Sequence, residues 1–165
     1  MTEEKKYKVL FVCLGNICRS PAGEGIFKHL VHEKGLDKRF VIDSAGTSGW
    51  HSGDLPDRRM REHGSKRGYR FDSRSRKFSS SDFDDFDYIL AMDDNNYYDI
   101  LALAPDIDSQ QKIHRMTDFL QRIQHDHVPD PYYSGADGFE FVLDLLEDAC
   151  EGLLNSILEN DRPGK

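Results

Sequence analysis

The sequence has no apolar run long enough to cross a membrane, no internal repeat and no low-complexity linker. A helical span needs about 20 consecutive apolar residues, so no membrane-spanning helix is expected. Solenoids and disordered tethers go with the other two absences. Cysteine is scarce: Cys13, Cys18 and Cys150 are an odd, sparse set that does not read as a disulfide scaffold. The opening residues Met1 to Lys6 are charged and run straight into a strand, unlike a signal peptide. These absences lead to the expectation of a cytoplasmic, globular protein with no membrane partner. Positive charge is also in deficit. Lys and Arg number 22 against 30 Asp and Glu, and the net charge of −8 argues against nucleic acid as the main partner. At 165 residues, one domain over 1–165 is expected, with about 1–6 and 161–165 flexible.

What the chain does have is concentrated near its start. Val9-Leu10-Phe11-Val12-Cys13 reads as a buried strand ending on a thiol. Leu14, Gly15, Asn16, Ile17 and Cys18 make a short loop, Arg19 follows, and Ser20-Pro21 reads as the N-cap and first turn of a helix. A loop curled over a helix N-terminus turns backbone N–H groups inward, and the helix dipole adds positive potential, so this place suits an anion. The same field favours the thiolate, the nucleophilic form of Cys13. Arg19 offers a planar fork matched to two phosphate oxygens, and Ser20 can hydrogen-bond the sulfur. Together these residues fit cysteinyl-phosphate chemistry.

Further along, residues 21–35 read as a helix with Gly35 at its end, and Phe40-Val41-Ile42 as a second strand. Residues 43–53 are small, polar and glycine-rich and read as a loop that carries Trp50, the sole tryptophan. Strand–helix–strand order implies a right-handed parallel crossover, with both loops on one sheet edge where ligands bind. Trp50 then lies either in the core or on the pocket wall near Cys13. Asp57 to Lys66 reads as a helix. From Asp57 to Lys77, nine Lys or Arg face three acidic residues. Intrahelical ion pairs on a solvated face explain this stretch, and steering of an acidic phosphopeptide is the sharper alternative. A short helical turn capped by Ser81, with Asp84 three residues on, precedes the strand 88–92. Asp93 then caps a helix over 94–104. Lys112 to Met116 is a weaker fourth strand, followed by a turn at 117–120. His125-Asp126-His127 on a polar loop lacks a third ligand at a recognised spacing and reads as solvated, so no metal is expected. In Val128-Pro129-Asp130-Pro131-Tyr132-Tyr133, Pro131 forces Asp130 into an extended conformation. Residues 136–160 form an apolar-striped helix, with Cys150 as an inert core thiol. Four strands separated by helices and loops give an α/β sandwich with a parallel sheet.

The string C-L-G-N-I-C-R-S-P at the end of the first strand resembles the low-molecular-weight protein tyrosine phosphatases, and the likeness extends over essentially the whole chain. The resemblance implies a three-layer, flavodoxin-like phosphotyrosine phosphatase I fold with strand order 2-1-3-4. It implies hydrolysis of phosphotyrosine without metal or organic cofactor. Cys13 is then the nucleophile, Arg19 the phosphate clamp and Asp130, in D-P-Y-Y, the general acid and later the base. Leu14, Gly15, Asn16, Ile17, Cys18, Ser20, Trp50, Tyr132 and Tyr133 become substrate-binding residues, and the two tyrosines become candidates for phosphorylation. Ser44 is implied to hydrogen-bond Asn16, Asp93 to support Arg19, and Asp57 with Arg59 to serve the structure. Cys18 is implied to be a resolving thiol that guards Cys13 through a disulfide. The implied partner is a phosphotyrosine protein or peptide, which includes a tyrosine kinase, and the implied state is a monomer.

Three related activities need weighing: arsenate reductases share this fold, and phosphocysteine carriers also place a cysteine at this position. Arsenate reductases relay a disulfide through further cysteines, yet residues 67–95 contain none. Phosphocysteine carriers of sugar transport lack the loop arginine and the distal Asp-Pro acid present here. Protein arginine phosphatases are the nearest rival, with threonine typical where this chain has Ile17. A bulkier, apolar Ile17 with Trp50 and two tyrosines favours a phenyl ring over a guanidinium. A non-enzymatic phosphate-binding module would lack Cys13 or Asp130.

Overall fold

The computed structural model describes residues 6–160, so the ends expected to be flexible fall outside the described residues apart from Lys6. Four strands, β1 (Tyr7–Cys13), β2 (Phe40–Gly46), β3 (Tyr88–Ala91) and β4 (Ile113–Arg115), form one parallel sheet in the order β2-β1-β3-β4. The helices are α1 (Arg19–Glu33), α2 (Arg58–Lys66), α3 (Asp82–Asp85), α4 (Asp94–Leu101), α5 (Ile107–Gln111) and α6 (Ala136–Asn160). Two 3₁₀ turns lie at Asp37–Arg39 and Met116–Phe119.

β1 explains the layering. Successive strand residues point to opposite faces, and every residue from Val9 to Cys13 is buried. Val9, Phe11 and Cys13 join the core under α1 and α6, with Phe27, Met116, Val142, Leu146 and Leu153. Leu10 and Val12 join the opposite core with Phe78, Phe83, Ile89 and Ile100, under α3 and α4. The result is the expected three-layer α/β sandwich.

Register then fixes the site. Cys13 pairs with Gly46 and Val12 with Ala91, so the C-terminal ends of β1, β2 and β3 reach one edge of the sheet together. Several boundaries differ from the sequence reading. β2 runs on through Asp43–Gly46, which the small polar composition had assigned to a loop, because pairing with β1 continues as far as Cys13. α4 stops at Leu101 rather than 104, and α5, capped by Asp106 through the Ser109 N–H at 2.8 Å, is an addition. Ser81 makes no capping bond; its hydroxyl pairs with Ser79 at 2.8 Å, and Asp82 takes the Ser79 N–H instead.

The acid-bearing stretch after β4 is held from below by α6. Asp148 accepts the backbone N–H groups of Gln121, Arg122 and Ile123 at 2.9–3.1 Å. Burial would raise this carboxyl, but those three bonds and Arg122 hold it below the usual carboxylate range. One turn on, Gly152 lets the turn approach closely, since a β-carbon there would lie 1.9 Å from the Phe119 carbonyl oxygen. Gly152→Ala is expected to cost about 2 kcal/mol through overpacking, read as a lower urea midpoint. An unchanged midpoint would mean that α6 can slide off the turn without cost.

Candidate active site

The loop between β1 and α1 turns on one residue. Asn16 has φ 57°, the one non-glycine residue in the left-handed region among the described residues. Asparagine tolerates this conformation better than most residues, but it still needs holding. Asn16 Nδ2 donates to Ser20 Oγ at 2.7 Å and to Ser44 Oγ at 2.9 Å, and Asn16 Oδ1 accepts the Arg76 N–H at 3.1 Å. The Ser44 hydroxyl donates to buried Glu24 Oε1 at 2.5 Å, and Lys28 Nζ donates to the other oxygen of that carboxylate from outside, also at 2.5 Å. Held this way, the Asn16 N–H points at Cys13 Sγ, 3.3 Å away. Gly46 makes room for the turn, because a β-carbon there would meet the Leu14 carbonyl at 2.7 Å and the Asn16 nitrogen at 3.1 Å.

Ser20 lies inside the helix instead of capping it. α1 begins at Arg19 with Cys18 at the cap position, and no side chain caps it. Ser20 Oγ accepts from Asn16, lies 2.9 Å from Cys13 Sγ, where either atom can donate, and also reaches the Ala45 carbonyl at 3.4 Å; toward a Cys13 thiolate the hydroxyl is the donor. Asn16 and Ser20 are both buried and are not among the residues that line the cleft; their contacts include Cys13, each other and, for Asn16, Ser44.

Arg19 is buried to 2 % exposure at the foot of the cleft. Its Nη1 donates to Asp93 Oδ2 at 2.6 Å and to the Val128 carbonyl at 2.9 Å, while Nη2 lies 3.9 Å from Asp130 Oδ2. Burial opposes its charge, but Cys13, Asp93 and Asp130 outweigh that and hold it protonated. Asp93 also accepts the Asn96 N–H at 2.8 Å, so one carboxylate caps α4 and bonds Arg19. Asp130 Oδ1 accepts the Tyr132 N–H at 3.0 Å, which turns the other oxygen toward the cleft.

The cleft, about 240 Å³, is lined by Cys13, Leu14, Gly15, Ile17, Cys18 and Arg19 below and by Ser48, Trp50, His51, Asp130, Tyr132 and Tyr133 around the mouth. Trp50, 90 % exposed, is on the wall and not in the core. All three cysteines are free and buried. Burial pushes the Cys18 thiol far up, with Asp57, Cys13 and Asp130 adding to the rise and Arg59 opposing it. Cys18 is therefore a neutral thiol at ordinary pH.

The sequence reading missed Glu24, Ser48 and His51. The signal for Glu24 was its i,i+4 spacing from Ser20 and to Lys28 on α1; nothing local marks the other two. In the basic stretch, Arg58, Arg59, Arg67, Arg70 and Arg76 are all ion-paired, which favours the paired-surface reading. Arg58–Glu62 alone is an intrahelical i,i+4 pair; Arg67 reaches Glu140, Asp144 and Glu147 on α6. His125, Asp126 and His127 are exposed, with ligand atoms within 4.8 Å of one another, and His127 is hydrogen-bonded to Asp126 at 2.7 Å. Among the described residues no helix is long and apolar enough to cross a membrane.

Residues 8–162 match the family described as low molecular weight phosphotyrosine protein phosphatase. A low molecular weight protein-tyrosine-phosphatase of Bacillus subtilis is 45% identical over 150 residues, covering 90% of this chain and 94% of the relative. A protein tyrosine phosphatase of Entamoeba histolytica, solved with Hepes in its active site, superposes with TM-score 0.92 at 50% identity, covering 95% of this chain and all of that one. A Drosophila arginine phosphatase superposes with TM-score 0.85 at 35% identity, covering 91% and 97%.

The Asn16 bonds generate a test. Asn16→Ala removes three side-chain bonds, two of them buried, and is expected to lower stability by about 2 kcal/mol and to weaken inhibition by inorganic phosphate roughly tenfold. Asn16→Gly frees the backbone but restores no bond, so it should lose phosphate inhibition to a similar extent. Full phosphate inhibition in Asn16→Gly would assign the role to backbone freedom alone.

Proposed function

This chain belongs to the low molecular weight phosphotyrosine protein phosphatase family, and we propose that it hydrolyses phosphotyrosine in proteins through a phosphorylated Cys13. The observation that carries this reading is the meeting of a supported sulfur, a buried guanidinium and an outward carboxyl oxygen in one cleft.

In the first step Cys13 Sγ attacks phosphorus in line, and the S–P bond forms as the bond to the tyrosyl oxygen breaks. The loop N–H groups and Arg19 hold the equatorial oxygens, where negative charge resides in the transition state. Asp130, protonated when substrate binds, gives its proton to the departing phenolate. In the second step the same carboxylate takes a proton from water as the water attacks phosphorus. Inorganic phosphate leaves and the Cys13 thiolate returns, its charge eased by the Ser20 hydroxyl. Asp93 keeps Arg19 charged and oriented. Trp50, Tyr132 and Tyr133 offer flat walls to an aryl ring, and Ile17 an apolar floor, which favours tyrosine over arginine phosphate.

Several finer readings belong with this proposal. A monomer is the state this reading takes for the protein. Phosphotyrosine on a kinase is one form the substrate takes, and Tyr132 and Tyr133, at 38 % and 97 % exposure, are reachable for phosphorylation. Cys18 acts as resolving thiol once a peroxide has made Cys13 a sulfenic acid; its sulfur displaces water and forms the disulfide.

Cys13→Ser is expected to abolish phosphate release from phosphotyrosine peptides while phosphate still binds. Asp130→Ala should lower kcat/KM on phosphotyrosine by about 10²-fold or more, and far less on an activated aryl phosphate whose leaving group scarcely needs a proton. Assay of phosphotyrosine and phosphoarginine peptides side by side, with chelator, checks the substrate. Preference for phosphoarginine would keep the mechanism and overturn the aryl-ring argument; release undiminished in Cys13→Ser would overturn the mechanism.

A further inference from the structure

Asp130 sits on a segment that is tied down in few places. Among the described residues, one hydrogen bond reaches residues 129–134 from outside that segment. Arg59 Nη2, on α2, donates to the Tyr132 carbonyl at 2.9 Å. The same guanidinium is fixed on its other side by Asp57, with Nε to Oδ1 at 3.1 Å and Nη2 to Oδ2 at 3.0 Å. It also lies over the Tyr132 ring at 5.4 Å and over the ring of Phe139, in the first turn of α6, at 4.8 Å.

Asp57 in turn belongs to the phosphate loop's surroundings. Its N–H donates to the Ile17 carbonyl at 2.7 Å, and its side chain caps α2 through the Arg59 N–H at 2.9 Å. At the far end, the Tyr132 N–H holds Asp130 Oδ1 at 3.0 Å. A continuous bonded path therefore runs from Ile17 through Asp57, Arg59 and Tyr132 to Asp130. It joins the loop that carries the nucleophile to the loop that carries the acid, and nothing else in the described residues does so by direct hydrogen bonds on that side of the cleft.

We propose that Arg59 is a positioning residue for proton transfer, which sets the distance of the Asp130 carboxyl from the scissile oxygen through Asp57 and Tyr132. This rests on the reading of Asp130 as general acid. Reacting groups must be held within a fraction of an ångström, and a misplacement of about 1 Å costs up to 10²-fold. A guanidinium suits the task because its planar fork grips Asp57 with two donors while a hydrogen on Nη2 remains for the carbonyl; an ammonium cannot copy that geometry. Arg59 does not touch the reacting atoms, so its loss should slow only steps that need the acid.

The test compares kcat/KM for a phosphotyrosine peptide and for 2,4-dinitrophenyl phosphate in wild type, Arg59→Leu, Arg59→Lys, Asp130→Ala and the double variant Arg59→Leu/Asp130→Ala. Arg59→Leu keeps an apolar contact for Phe139 and removes every donor. It is expected to lose about tenfold on phosphotyrosine and less than about twofold on the dinitrophenyl ester, with inhibition by inorganic phosphate unchanged. Arg59→Lys should recover little, and the double variant should be no slower on phosphotyrosine than Asp130→Ala alone. Equal losses on both esters, full recovery with lysine, or additive losses in the double variant would overturn the proposal. If Asp130→Ala itself shows no dependence on the leaving group, the general-acid reading fails first and the role of Arg59 falls with it.

Discussion

The site depends on one backbone conformation and on what keeps it in place. Asn16 turns the loop so that its N–H faces the sulfur, and a left-handed asparagine does not stay there unaided. The restraint is a chain of side-chain hydrogen bonds through Ser20, Ser44 and Glu24, all buried, each with a defined donor and acceptor. Buried polar groups are costly when unpaired and rigid when fully satisfied. The loop is thus organised before any anion arrives, which is what a site stabilising a charged transition state requires.

Charge is arranged on the same principle. The chain carries a net charge of −8, yet its cleft is built for a dianion. Arg19 reconciles the two locally. Buried at 2 % exposure, it is held by Asp93 through Nη1, while the only described approach to Nη2 is Asp130 at 3.9 Å. The carboxylate that fixes the arginine therefore leaves part of the fork available to an incoming phosphate. The acid carboxyl stands close enough to share the field of the same guanidinium and on a different segment from the thiol.

The two loops come from opposite ends of the chain, 117 positions apart from Cys13 to Asp130. Two anchors bring them together. On one side the Val128 carbonyl meets Arg19 and the Val128 N–H meets the Met92 carbonyl, at 2.9 and 2.8 Å. On the other, α2 contributes Arg59. Asp148 on α6 secures the segment further upstream by gathering three backbone N–H groups. The exposed surface of the basic stretch is thereby spent largely on ion pairs and loop contacts.

Much of this was legible in the residues. The apolar run ending on Cys13, the Arg19 spacing, the Asp-Pro turn at Asp130 and the striped helix 136–160 each follow from local pattern, because alternation, caps and proline act over a few neighbours. Local pattern also misled. Asp43 to Gly46 look like loop residues, yet they pair with β1; Ser20 looks like a cap, yet its hydroxyl serves the sulfur. Trp50 could be placed in core or cleft with equal reason until the fold exposed it. The sequence by itself determined which chemical groups are available and that strand, loop and helix follow one another around Cys13. Only the tertiary structure decided that Glu24 braces Ser44, that His51 reaches the cleft and that Arg59 meets Tyr132. Those contacts join residues 20 to 73 positions apart (36 for His51 over Gly15), and their partners are chosen by sheet register and helix packing, which no short window of sequence contains.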